Sequence, residues 1–169
     1  MTAMEELLDT GRVMLMCGAP LLVLSALLLV AVHCVERRRA TVPPDPRATM
    51  GNNLAAGSGL GAGVLVWVVW FSWGGPGGAG AAVAVGAVVS AFCVLVWLGV
   101  RTRWPWTGPF VVALGGLSGF STAYAVASDA SDVTGLWAIG YLMITVGGVI
   151  VLALVTAGIV VVRSADWTR

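Results

Sequence analysis

The sequence predicts an all-α integral membrane protein with five transmembrane helices, the N-terminus outside and the C-terminus cytoplasmic. Three observations carry this. No charged residue occurs in 13–35, 48–100, 105–128 or 133–162. Gly74, Gly75, Pro76, Gly77 and Gly78 divide the longest run in two. The five resulting segments approach the roughly 20 residues that cross a bilayer. The arginine groups lie between alternate segments, as expected if they share one side of the membrane. Lipid satisfies no amide, so such segments are helical. The short alternating segments of an outer-membrane barrel are missing. Hydrophobic residues make up 59% of the chain and charged residues 10%, too little polar surface for a soluble monomer.

The elements follow in order. Residues 1–12 form a short exterior segment with Glu5, Glu6 and Asp9 against Arg12, unlike the positive leader of a secretory signal. The transmembrane domain covers 13–162, and 163–169 is a cytoplasmic tail. The first span is 13–35, leucine-rich and closed by Glu36, Arg37, Arg38 and Arg39. Pro43, Pro44 and Pro46 forbid a helix through the linker that follows. The second span, 54–73, starts after Asn52 and Asn53, both suitable caps. The glycine turn makes it an antiparallel neighbour of the third span, 79–98. Arg101, Arg103, Trp104 and Trp106 form the next loop. Thr107 and Pro109 suit the cap and first turn of the fourth span, 108–127. Asp129 and Asp132 mark a short loop before the long fifth span, 134–162.

Small residues mark where helices approach. Gly57 and Gly61 are spaced by four, as are Gly59 and Gly63. Gly115, Gly119, Ala123 and Ala127 make a stripe in the fourth span. Such stripes allow close backbone contact in lipid. Trp67, Trp70 and Trp73 share a broad side of the second span and read as lipid-facing anchors.

Catalytic chemistry has little to stand on. No acid or base lies inside a span, as a proton-coupled pump needs. His33, Cys34 and Glu36 form one local cluster without a second ligand set, so no metal and no cofactor are expected. Cys17, Cys34 and Cys93 lie at different depths and form no CxxC pair. A net charge of +1 offers no surface to nucleic acid.

The most polar intramembrane segment is 115–122, GGLSGFST, followed by Tyr124. Ser118, Phe120, Ser121, Thr122 and Tyr124 are its candidates for an ion path. This segment resembles the GG-x-TT-F-ST-F signature of the small fluoride-channel family, also called camphor-resistance proteins. Gly115, Gly116, Phe120, Ser121 and Thr122 match it. Ser118 stands for one Thr, Gly119 for the other, and Ala123 for the second Phe. WAIGY at 137–141 and Gly147–Gly148 are similar to that family's last helix, and Asn53 to its helix asparagine. The resemblance implies an antiparallel dimer with phenylalanine-lined pores and a broken helix around a central sodium.

The expected function is therefore a small non-enzymatic component of the cell membrane, a homo-oligomer or an accessory subunit. Its partners would be the lipid bilayer and a second copy or another membrane protein. The alternative is ion transport, by a passive small-ion channel built around 115–122.

Overall fold

The computed structural model describes residues 11–12, 19–39, 48–72, 80–129 and 136–166. Among the described residues the long helices run in chain order: α1 Ala19–Arg39, α2 Asn52–Phe71, α3 Ala81–Val100, α4 Thr107–Asp129 and α5 Trp137–Asp166. The glycine turn, the Pro43–Pro46 linker, Trp73 and Asp132 lie outside the described residues, as do 1–10 and 167–169 of the expected terminal segments.

The expected five crossings are corrected to four. Among the described residues, the helices long and apolar enough to cross a membrane are Asn52–Phe71, Ala81–Val100, Thr107–Ser128 and Trp137–Val162. α1 differs in its last turn, which carries Glu36 and the arginines. The apolar part from Ala19 to Val35 has 17 residues, or about 25 Å against a hydrocarbon core of about 30 Å. The start of the expected first span, 13–18, lies outside the described residues. The orientation with the N-terminus outside and the C-terminus cytoplasmic rested on five crossings and is withdrawn with the fifth. Four antiparallel crossings bring the start of α2 and the end of α5 to the same end of the bundle. Met50 pairs there with Arg101 and Arg103 through backbone hydrogen bonds of 3.4 and 2.8 Å. Ile159 lies there within reach of Gly99.

α4 is the central helix and packs against all four others. It has the lowest mean hydropathy of the four spans, 1.6, and the largest buried share. α5 is its opposite, with mean hydropathy 2.6 and the smallest buried share. A helix surrounded by protein needs small surfaces that interlock, whereas one facing lipid needs apolar bulk. Met143, Leu154 and Val161 of α5 are accordingly exposed, as are Val85, Val88 and Phe92 of α3. The chain is thus an all-α protein whose apolar helices and outward-facing apolar side chains suit a multi-pass membrane protein.

α2 and α4 run parallel and make the tightest seam. A Cβ added at Gly59 or Gly63 would overlap the Val112 or Gly116 carbonyl. One added at Gly115 or Gly119 would overlap the Ala56 or Leu60 carbonyl. The two backbones lie in direct contact, which only glycine permits here. α3 packs on α2 through Trp70, whose ring covers Gly86 and whose indole N–H donates to Ser90 at 3.1 Å. Trp67 turns inward too, into a cluster with Phe71, Phe120 and Tyr124. Two of the three tryptophans read as lipid anchors thus join helices instead.

Candidate functional site

The segment 115–122 lies within an unbroken helix, α4. Its polar groups do not converge. Ser118 donates its hydroxyl to the Leu114 carbonyl at 2.8 Å, and the fully buried Ser121 donates to the Ser118 carbonyl at 3.3 Å. Both hydroxyls are satisfied by their own helix, a common arrangement for serine in apolar surroundings. Thr122 is exposed. Phe120 stands edge-on to Trp67 and Phe71, with ring centroids 5.5 and 5.8 Å away. Tyr124 stands edge-on to Trp67 at 5.5 Å, its hydroxyl over Gly140. Phe120 and Tyr124 therefore share one aromatic cluster, while Ser118, Ser121 and Thr122 serve other faces. The burial of α4 explains why this span is rich in glycine and hydroxyls: it packs against protein on nearly every side.

The five positions expected to pack helices divide. Gly115 and Gly119 are in the α2–α4 seam, and Ala123 is half-buried on the same helix. Gly57 and Gly61 are not in that seam. A Cβ at either would meet nothing within 4 Å. The inner pair on α2 is Gly59 and Gly63, offset from the outer pair by two residues and so by more than half a turn. Leu54, Leu60 and Leu65 are exposed near the outer pair.

A polar node joins α1 to α4 at the arginine-bearing end. The Glu36 carboxylate is buried and accepts three hydrogen bonds. They come from the Trp106 N–H at 2.9 Å, the Thr107 N–H at 3.2 Å and the Thr107 hydroxyl at 2.7 Å. The two amides, of Trp106 just before α4 and of Thr107 at its start, have no earlier helical carbonyl to satisfy them. A carboxylate there also faces the positive end of the helix dipole. Glu36 thus caps α4 from another helix, in place of the local threonine cap the sequence suggests. His33 completes the node, with Nδ1 3.3 Å from Thr107 Oγ1 and its ring edge-on to Trp104 at 4.9 Å. His33, Cys34 and Glu36 are neighbours in the sequence, but nothing in it pairs Glu36 with a residue 71 positions later. No cluster of three metal-ligating side chains occurs among the described residues.

A third feature is a cavity of ≈ 410 Å³ lined by α2, α3, α4 and α5. Every lining residue is Gly, Ala, Val, Leu, Ile or Phe. Phe71 and Phe120 lie toward one end and Leu98 toward the other. Such a lining offers no ligand to an ion and a continuous surface to hydrocarbon. Comparison of the chain with family models, with curated proteins and with solved structures returned no match, the fluoride channels included.

Proposed function

We propose that this protein is a small non-enzymatic membrane component that acts by association, as a homo-oligomer or as an accessory subunit beside another membrane protein. The observation that carries this reading is the outer glycine pair of α2. Each glycine within a helix costs about 0.5–1 kcal/mol relative to alanine. Gly59 and Gly63 offset that cost by admitting α4 to backbone contact. Gly57 and Gly61 gain nothing comparable from the described residues. A second helix laid against them would supply the dispersion contact that drives association in lipid.

The test is native mass measurement of the protein in lipid nanodiscs. The expected particle contains a second copy or a co-purifying membrane protein, and Gly57→Leu with Gly61→Leu releases it. A strictly monomeric wild-type particle from native membranes, with nothing co-purifying, would overturn the proposal. Ion conduction has less support: Ser118 and Ser121 bond their own helix, and the cavity beside Phe120 presents no polar side chain.

A further inference from the structure

We propose that the groove between α3 and α5 is a binding site for one acyl chain of an anionic phospholipid, with its phosphate held at Arg101. The inference begins with shape. α3 and α5 both pack on α4 but scarcely meet each other. The cavity between them is open on its outer side, where Val88, Phe92 and Val151 are exposed. Its wall on α3 extends from Ala84 to Leu98, about 21 Å at 1.5 Å per residue. The groove is therefore long and narrow. The groove holds ≈ 410 Å³, within the range of small-ligand pockets.

The groove is kept open by the sequence. Its floor is closed, because Leu117 of α4 packs over Gly148 and Gly63 meets the Gly116 carbonyl. Gly147 also lines the groove, and a Cβ there would meet nothing within 4 Å. Any larger residue at 147 would project into the empty space. Ala87 and Ala91 keep the opposite wall low.

Charge selects the lipid. Arg101 lies one turn beyond Leu98, the last groove residue of α3, with its guanidinium 4.1 Å from the centroid of the exposed Trp97 ring. Arg37, Arg38 and Arg103 are exposed at the same end. Glu36, the one carboxylate there whose side chain is described, is buried and fully engaged with α4. An exposed guanidinium at the membrane interface pairs with a phosphate. Tail and protein wall are equally apolar, so the chain gains no hydrophobic transfer. It gains dispersion contact with a fixed surface, and the headgroup supplies selectivity.

The experiment uses the full chain reconstituted in vesicles of phosphatidylcholine mixed with phosphatidylglycerol, released gently and weighed by native mass spectrometry. Wild-type protein is expected to retain one phosphatidylglycerol per chain, preferred over phosphatidylcholine by about fivefold. Gly147→Phe and, separately, Ala91→Phe should each lower retention at least about tenfold while preserving helical content and monodispersity. Arg101→Gln should keep a bound lipid but lose the preference. Three results would overturn the proposal: equal retention of the two lipids by wild type, undiminished retention in both groove-filling variants, or a dimer abolished by Gly147→Phe with no lipid bound. None depends on Gly57 or Gly61, so failure here is distinct from failure of the association reading.

Discussion

The two faces of α2 carry the same residue at the same spacing and behave differently. Gly59 and Gly63 face α4, where an added methyl would enter its carbonyls; Gly57 and Gly61 face open space. Spacing by four states that a backbone can be approached closely. It does not state whether the approaching helix belongs to the same chain. In lipid, where burial of apolar surface gives no drive, this distinction rests on shape alone.

The largest way to break the comparison is to fill the inner face. Gly63→Ala places a methyl against the backbone of Gly116 and Phe120, which cannot rotate away as a side chain can. A loss of about 3 kcal/mol is expected, and Gly63→Leu should give no folded protein. Thermal unfolding in detergent reads both; a wild-type melt for Gly63→Leu would remove the seam from the account.

Next comes the attachment of α1. Glu36→Ala leaves the Thr107 hydroxyl and the Trp106 and Thr107 amides without their carboxylate. It should cost about 2–3 kcal/mol, the penalty of stranding buried donors of a charge-assisted network. Glu36→Gln retains one acceptor oxygen and should fall between. Hydrogen exchange of the Trp106 and Thr107 amides locates the effect: faster exchange is expected there, and an unchanged rate would count against Glu36 as the cap.

The outer face should respond the other way. Gly57→Leu with Gly61→Leu should stabilise the fold by about 1–2 kcal/mol, the two helical glycine penalties removed. Association should weaken at least about tenfold. Analytical ultracentrifugation at several protein-to-detergent ratios separates the two; a large loss of melting temperature would place these glycines inside the fold.

The smallest effects belong to the serines of α4. Ser121→Ala and Ser118→Ala remove bonds to their own helix and should each change stability by less than about 1 kcal/mol. Liposomes holding the wild-type protein should release fluoride no faster than empty ones. Efflux above that background, reduced by Ser121→Ala, would restore the channel reading.

The four long apolar helices were legible because charge is missing from whole segments. Their ends fall within about four residues of those expected from caps and turns, the usual uncertainty of such boundaries. The expected crossing at 13–35 is not among the four because its described apolar part, from Ala19 to Val35, has 17 residues and falls short of the roughly 20 that cross a bilayer. Gly115 and Gly119 were readable as a packing stripe, yet their partners Ala56 and Leu60 were not. Periodicity assigns a residue to a face, and tertiary structure alone gives that face a neighbour. The hydroxyls of Ser118 and Ser121 drew attention as polar groups in an apolar span. Their actual partners are carbonyls three and four residues back, a local solution that no spacing distinguishes from an ion site.

The most direct measurement of the central claim is oxidative cross-linking in native membranes, using single cysteines in a cysteine-free background. Gly61→Cys samples the outer face of α2, while Val85→Cys on α3 and Leu154→Cys on α5 sample other exposed apolar faces. The account predicts a covalent adduct, with a second copy or with a partner protein, from Gly61→Cys and little from the other two. No adduct at Gly61→Cys, or equal adducts at all three positions, would contradict it.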